Sequence, residues 1–334
     1  MNSALVTGIS GQDGFYLLKL LAEKNYRVIG ITRSLDEARS KAIHLRDQSV
    51  SLVEADFSNS QSISDVIDKY RPREIYNLAA MSSGSGMYED PVSIGETNGM
   101  LVLRILESIR KIDSRIRLCQ ASSREIFGDA PPSPQDESTP INPRSPYGAA
   151  KAYADTMIRI YRSKYNLYAC SAILFNHESP QRGLGFVTRK ISRAAAQIRL
   201  GLASELQIGN LDAQRDWGFA GDYVRAMWLM LQQQHAEDYV ISTGRAHSVR
   251  QLCELAFSHV GLDYRNYVRE DLKAYRPAEP ALLVGSSAKA RAVLGWEPNV
   301  SFEVLIRMMV DTDMQVLNDL DLGKNGGETD VQNN

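Results

Sequence analysis

The sequence predicts an α/β protein with a doubly wound parallel sheet and a smaller C-terminal α/β domain. Over the first 175 residues, short apolar runs alternate with segments in which apolar residues recur at helical spacing. This alternation of strands and helices is typical of βαβ units and therefore of a parallel sheet. A glycine-rich turn follows the first apolar run. After Phe175 the chain becomes less regular and richer in polar residues, proline and glycine.

The individual elements follow in order from this periodicity. In the first part we predict strands at 3–7, 27–32, 50–53, 74–79, 116–121 and 168–174, and helices at 12–24, 60–70, 97–111 and 147–165. Beyond it we predict helices at 186–201, 221–233, 248–261 and 301–317, and a strand at 239–243.

Composition and charge exclude several classes of protein. The chain has 38 Lys and Arg against 40 Asp and Glu, so it lacks the electrostatic footprint of a dedicated nucleic-acid-binding protein. No apolar stretch approaches the roughly 18 residues of a membrane span, and the first apolar run ends at Gly8, too early for a signal peptide. Three scattered cysteines without a C-x-x-C pair predict neither disulfides nor a metal site. We expect a cytoplasmic protein.

The first strand-to-helix turn has the spacing G-x-x-G-x-x-G. Gly8 permits the tight turn, Gly11 lets the backbone approach a pyrophosphate, and Gly14 lets helix and strand pack closely. The phosphates would then face the amide groups at the helix N-terminus. The spacing and its place in a βαβ array predict a Rossmann-type dinucleotide site; the alternative is an ordinary strand-to-helix turn.

The end of the second strand indicates which dinucleotide binds. Proteins that prefer NAD carry an acidic residue there, which binds the ribose hydroxyls. Here the acid is absent and Arg33 stands beside its place, where it could pair with a 2′-phosphate. We therefore expect NADP, with Asp56 near the adenine; alternatively Arg33 is a solvated loop residue.

These motifs define the expected domains. Residues 1–175 form the NADP-binding domain, to which segments near 211–245 return, and residues 176–320 form the substrate domain. The polar residues 321–334 predict a disordered tail.

A tyrosine and a lysine stand four residues apart at a predicted helix start. Ser145 can cap this helix and Pro146 suits its first turn, which places Tyr147 and Lys151 side by side on one face. A neighbouring ammonium and an oxidised nicotinamide both favour the phenolate. Tyr147 is thus a candidate acid and base for alcohol–ketone interconversion; on its own, Y-x-x-x-K is also common on surface helices.

Together these features resemble the extended short-chain dehydrogenase/reductase superfamily, and longer strings resemble one branch, the GDP-mannose 4,6-dehydratases. The strings include TGISGQDGFYL, NLAAMS, QASSREIFG, PRSPYGAAKAYA, LFNHESPQRG, FVTRKI, GNLDAQRDWG and YRPAEPALLVG. They run from residue 7 to about residue 298, so the resemblance covers nearly the whole chain.

The resemblance implies a redox-neutral dehydration of a GDP-sugar. Tyr147 and Lys151 would serve the oxidation at C4, with hydride passing to NADP and later returning to C6. Ser123 and Glu125, at the end of a strand, match the positions that remove the C5 proton and assist loss of the C6 hydroxyl as water. The alternative for Glu125 is a surface residue beside a strand.

The resemblance also implies the residues that bind the two ligands. Cofactor contacts are implied for Gly8, Ser10, Gly11, Gln12, Asp13, Gly14, Arg33, Asp56, Phe57, Leu78, Ala79, Ala80, Ser82, Tyr147, Lys151, His177 and Arg182. Substrate contacts are implied for Ser82, Ser123, Glu125, Asn176, Lys190, Arg215, Arg276 and Glu279.

Some positions depart from the family's pattern. Ser34 replaces an arginine of a loop that reaches a neighbouring subunit, Ser93 replaces a cofactor-contacting tyrosine, and Leu184 replaces an acid. Residues 83–86 (SGSG) loosen the wall beside the sugar. Relatives pair through helices matching 97–111 and 147–165, so we expect a homodimer or a homotetramer.

Four functions stay open at this point. The first is dehydration of GDP-mannose, and the second is dehydration of a related GDP-sugar such as a GDP-heptose. A third is a 4-reductase or an epimerase of the same fold, which Glu125 disfavours. A fourth is a nucleotide-sensing regulator, which would be expected to lack Tyr147 or Lys151.

Overall fold

The structure of the protein is a computed structural model that describes residues 2–41, 50–82, 88, 90–128, 133–271 and 283–325. Two predicted substrate residues, Arg276 and Glu279, lie outside the described residues, as do residues 83–86 and 326–334.

A seven-stranded parallel sheet forms the centre of the fold. Its strands are β1 (Ser3–Thr7), β2 (Arg27–Thr32), β3 (Val50–Glu54), β4 (Glu74–Asn77), β5 (Arg117–Ala121), β6 (Ala169–Leu174) and β10 (Tyr239–Ile241). They lie in the order β10-β6-β5-β4-β1-β2-β3. The order reverses between β1 and β4, and a ligand crevice opens at the carboxyl ends of the strands at such a point.

Helices cover both faces of this sheet. One face packs against α1 (Gln12–Glu23) and α8 (Ala220–Leu231), and the other against α3 (Ser60–Tyr70), α5 (Leu101–Ile112) and α6 (Pro146–Tyr165). Apolar side chains from the helices and from alternate strand positions form one core on each face. The doubly wound parallel sheet expected from the sequence is confirmed.

A second, smaller region packs around short strands. A three-stranded sheet has the order β11-β9-β7, and a separate pair joins β8 to β12. The strands are β7 (Asn176–Glu178), β8 (Leu206–Ile208), β9 (Gln214–Phe219), β11 (Ala246–Ser248) and β12 (Val268–Glu270). Helices α7 (Val187–Arg199), α9 (Val249–His259) and α11 (Phe302–Asn325) enclose their core.

The chain crosses between the two regions more than once. After β9 it returns through α8 to the large sheet, where β10 pairs with β6. Helix α10 (Ala288–Leu294) contributes Ala290 and Leu294 to the core beneath α8.

The structure differs from the sequence-based elements at several ends. The strand predicted at 74–79 stops at Asn77, and the helix predicted at 97–111 is preceded by α4 (Pro91–Gly95) and a π-helical turn at Glu96–Met100. Helix α2 (Leu35–Lys41) was not predicted, because its seven residues give little apolar periodicity. Helix α11 continues to Asn325, so residues 321–325 are helical where the sequence predicts a disordered tail.

No helix in the described part of the chain is long and apolar enough to cross a membrane. Among the same residues, no group of three or more His, Cys, Asp or Glu is arranged to hold a metal ion.

Candidate active site

The glycine turn leaves no room for side chains at two of its three glycines. Gly8 has a φ of +68°, and a Cβ there would lie 2.8 Å from the backbone N of Ala79. A Cβ on Gly14 would lie 2.3 Å from the carbonyl O of Ile9. Gly11 is the N-cap of α1 and supplies no side-chain cap. The first amide groups of α1 therefore remain available to phosphate oxygens.

A chain of buried hydrogen bonds joins three strand ends beneath this turn. Thr7 Oγ1 donates to Asn77 Oδ1 at 2.5 Å, and Asn77 Nδ2 donates to Gln120 Oε1 at 2.6 Å. Thr7 Oγ1 also accepts from Ala79 N at 3.1 Å. Thr7, Asn77 and Gln120 were not predicted from the sequence as residues of the site. The available signal was a polar side chain near the end of each apolar run.

The residues expected around the adenine and the 2′-phosphate lie at the ends of β2 and β3. Arg33 follows β2, is exposed, and has no ion-pair partner among the described residues. Asp56 Oδ1 accepts from Ser58 N at 2.8 Å and from Ser58 Oγ at 2.6 Å, and these bonds lower the pKa of Asp56. Phe57 is buried under α3 and α5. Within the described residues, Arg33 is therefore available to pair with an anion.

The segment after β4 forms the wall opposite the glycine turn. Leu78 and Ala79 pass against Gly8, as the short distances to a Cβ at that glycine show. Ala80 and Ser82 follow and are exposed, and Ser10 lies in the turn before α1. The glycine turn and the segment after β4 therefore meet at the crevice between β1 and β4.

Tyr147 and Lys151 lie in the first turns of α6. Ser145 Oγ caps the helix by accepting from Gly148 N at 3.0 Å, and Pro146 occupies its first position. Lys151 is 1% exposed, and its Nζ donates to the carbonyl O of Ala121 at 2.7 Å. Nζ lies 5.7 Å from the centre of the Tyr147 ring. The lysine is thus fixed beside the tyrosine by the end of β5.

Burial dominates the proton affinities of this pair. Burial raises the pKa of Tyr147 to about 12, while a hydrogen bond with Ser123 acts in the opposite direction. Burial also lowers the pKa of Lys151 to about 8, against the attraction of Asp155 and Asp13. In the resting site Tyr147 is therefore neutral, and Lys151 is mostly protonated near neutral pH.

Ser123 and Glu125 come to the same place from the end of β5. Ser123 has an extended backbone, and its Oγ accepts from Glu125 N at 3.2 Å, which starts a 3₁₀ turn at Arg124–Ile126. A Cβ on Gly148 would lie 2.6 Å from the carbonyl O of Glu125. Helix α6 can pack this closely on the turn because position 148 has no side chain. All four predicted catalytic residues are thereby brought together.

Three further cofactor candidates join the two regions of the fold. His177 Nε2 lies 2.9 Å from Asp13 Oδ2, and its Nδ1 lies 2.8 Å from the carbonyl O of Phe175. Gln12 Nε2 donates to the carbonyl O of His177 at 3.1 Å. Burial would lower the pKa of His177, but the Asp13 carboxylate outweighs it and raises that pKa. These contacts fix β7 against the N-terminus of α1.

Arg182 lies near the same junction. Its Nε is 3.1 Å from Glu178 Oε2, and its guanidinium is 3.4 Å from the centre of the Phe186 ring. Its charge acts on Asp13, His177 and Tyr147, which places it at the site rather than on a distant surface.

The remaining substrate candidates lie in the second region. Asn176 opens β7, Arg215 lies on the adjacent strand β9, and the two strands are aligned so that Asn176 faces Trp217. Lys190 is exposed on α7.

One of the departures, Ser34, has a local role. Ser34 Oγ accepts from Glu37 N at 3.2 Å and so opens α2. Leu184 is exposed in the loop between β7 and α7.

Comparison with known proteins gives one consistent result. Residues 5–309 match the sequence profile of the family described as GDP-mannose 4,6 dehydratase. The chain is 46% identical to GDP-mannose 4,6 dehydratase 2 of Arabidopsis thaliana over 325 residues, which cover 94% of this chain and 87% of the relative.

Solved structures share its fold. The UDP-glucose 4-epimerase of Thermotoga maritima superposes with a TM-score of 0.83 at 24% identity, covering 94% of this chain and 99% of that one. RMD of Pseudomonas aeruginosa, solved with NADPH, superposes with a TM-score of 0.81 at 22% identity, covering 95% of this chain and 100% of that one.

Proposed function

The chain belongs to the GDP-mannose 4,6 dehydratase family, and we propose that it converts GDP-D-mannose to GDP-4-keto-6-deoxy-D-mannose and water with NADP as cofactor. The observation that carries the proposal is the assembly of Tyr147, Lys151, Ser123 and Glu125 at the carboxyl end of β5. The carboxylate is the group that a simple reductase or epimerase would not need, whereas water loss requires a base for the C5 proton.

The residues present fit NADP. A side chain at position 8 or 14 would collide with the backbone, so only glycine leaves room for the phosphates at this turn. The start of α1, which has no side-chain cap, faces this space. Arg33, exposed at the end of β2, would pair with the 2′-phosphate. When bound, NADP takes a hydride from C4 of the sugar and returns it to C6.

Tyr147 handles the proton of the C4 hydroxyl. A pKa of about 12 makes it a poor base in the resting site, where burial outweighs the neighbouring charges. The positive charge of an oxidised nicotinamide, added to that of Lys151 at 5.7 Å from the ring centre, would favour the phenolate. Ser123, hydrogen-bonded with Tyr147, orients the phenol toward O4.

Glu125 and Ser123 carry out the elimination. Once C4 is a ketone the C5 hydrogen is acidic, and the Glu125 carboxylate takes it as a proton. The C5–H electron pair forms the C5–C6 double bond while the C6–O bond breaks. The oxygen leaves as water after receiving a proton from this pair of side chains. Hydride addition at C6 would then leave an enolate, and C5 would take up a proton to give the 4-keto product.

The nucleotide end of the substrate meets the second region. Arg215 and Lys190 would bind the diphosphate and Asn176 the sugar side, joined by Arg276 and Glu279 from outside the described residues. A panel of GDP-sugars, with product mass read for loss of one water, tests this assignment. Turnover of a GDP-heptose in preference to GDP-mannose would change the substrate and keep the reaction.

We also infer a cytoplasmic homo-oligomer. Cys119, Cys170 and Cys253 are all buried free thiols, as expected of a reducing compartment. The outer face of α6 exposes Ile160 and Tyr153, apolar side chains that a second copy would cover. Light scattering at micromolar concentration tests this, since Ile160→Glu should yield monomers and an already monomeric wild type would contradict it.

A further inference from the structure

Arg124 lies inside the catalytic turn, and its side chain is almost completely buried. The side chain is 5% exposed, whereas that of Glu125 is 30% exposed. Arg124 Nη1 lies 3.2 Å from Glu125 Oε1, and Nη2 donates to the carbonyl O of Gly128 at 2.7 Å. Within the described ranges, the buried Nε has no hydrogen-bond partner.

A buried cation with an unsatisfied donor is unfavourable for folding. An apolar side chain at this position would avoid both the desolvation of the charge and the orphaned N–H. The arginine therefore calls for a reason other than packing. Its ion pair with the next residue, the predicted base of the elimination, supplies one.

We propose that Arg124 is a positioning residue for Glu125, holding Oε1 so that Oε2 is left to take the C5 proton. This inference rests on the proposed function, which gives Glu125 that task. A guanidinium does not lose its proton in proteins, so Arg124 is not itself the acid.

The same cation bears on the second half of the proton transfer. After Glu125 has taken the C5 proton, the nearby positive charge makes the carboxyl a stronger acid. The proton can then pass to the departing C6 oxygen, which leaves as water while the C5–C6 double bond forms.

The other charged groups around Glu125 do not replace Arg124. Tyr147 faces it from α6 and is neutral at working pH, while Arg182 and Asp13 act on Tyr147 from the loop after β7 and from α1. Arg124 is the cation in direct contact with Glu125 in the described part of the chain.

The first test needs neither substrate nor cofactor. The Glu125 carboxyl is followed by ¹³C NMR at neutral pH in wild type, Arg124→Met and Arg124→Lys, with Glu125→Gln assigning the signal. We expect the signal to move and broaden in Arg124→Met, because the carboxylate loses its fixed partner, and to return toward wild type in Arg124→Lys. The control Arg115→Met removes an arginine that is 88% exposed and paired with Asp113, and it should leave the signal unchanged.

The second test follows turnover of GDP-mannose. Water loss and C5 exchange with solvent deuterium should slow about tenfold or more in Arg124→Met, more than the C4 oxidation slows. An unchanged Glu125 signal in Arg124→Met, or equal loss of both steps in Arg124→Met and Arg124→Lys, would overturn the inference. If the wild type dehydrates no GDP-sugar, the proposed function fails, whereas the NMR signal still decides whether Arg124 positions Glu125.

Discussion

Replacing Gly14 by alanine tests whether α1 packs too closely on the glycine turn to admit a side chain. The added Cβ would stand 2.3 Å from the carbonyl O of Ile9 and 2.7 Å from that of Gly8. Both are backbone atoms, which cannot rotate away as a side chain can. Relief requires α1 to move by about 1 Å relative to the turn, and overpacking of this kind costs about 1–3 kcal/mol.

We expect two measurable consequences of Gly14→Ala. The Tm should fall by roughly 1–4 °C, and affinity for NADP should fall about tenfold or more, because the amide groups of α1 leave the phosphates. Differential scanning calorimetry gives the first value, and calorimetric titration with NADP gives the second.

A matched control is available at Gly95 in α4. A Cβ there would meet no atom within 4 Å, so Gly95→Ala should retain wild-type NADP affinity and gain about 0.5–1 kcal/mol in stability. If Gly14→Ala matched the wild type in both Tm and NADP affinity, the close packing of α1 on this turn would be refuted.

Three other predictions concern single side chains. Arg33→Ala should weaken NADP binding far more than NAD binding, and equal affinity of the wild type for the two dinucleotides would contradict this role. Tyr147→Phe should form no reduced cofactor, whereas Glu125→Gln should form it in a single turnover without loss of water; near wild-type product release by Glu125→Gln would make Glu125 a bystander. Burial raises the pKa of Asp155 to about 6, against its hydrogen bonds with two serines and despite Lys151. The pKa of Asp155 is higher in the folded chain than in the unfolded chain, so the protonated form stabilises the fold. As the pH rises from about 4 to about 6, the free energy of unfolding of the wild type should therefore fall by on the order of 3 kcal/mol relative to that of Asp155→Asn. Urea unfolding across that pH range measures the free energy of unfolding of both proteins. An equal pH dependence of that free energy in the wild type and in Asp155→Asn would contradict the prediction.

The elements of the first domain were predictable because their signals are local. Apolar periodicity, glycine spacing or capping residues indicate the strands that end at Thr7 and Thr32 and the helix that begins near Tyr147. The second region was predicted less completely. Its strands β7, β8 and β11 are three residues long, which is too short for an alternating apolar pattern to show in the sequence. They form by pairing with strands that are distant in the sequence.

The residues of the site also divide into those that local sequence patterns predicted and those that depend on the fold. The motif residues Gly8, Tyr147 and Lys151 were found from spacing within a few positions of one another. The buried bonds between Thr7 and Asn77, which are 70 residues apart, depend on the order of strands in the sheet. Arg124 was missed for another reason: its sequence position does not reveal that its side chain is buried and turns back to Glu125.

The most direct test of the proposed reaction uses GDP-mannose deuterated at C4. Internal hydride transfer predicts a product lighter by one water that carries the deuterium at C6, as read by mass spectrometry and NMR. A product that retains the oxygen at C6, or one that has lost the deuterium to solvent, would contradict the account.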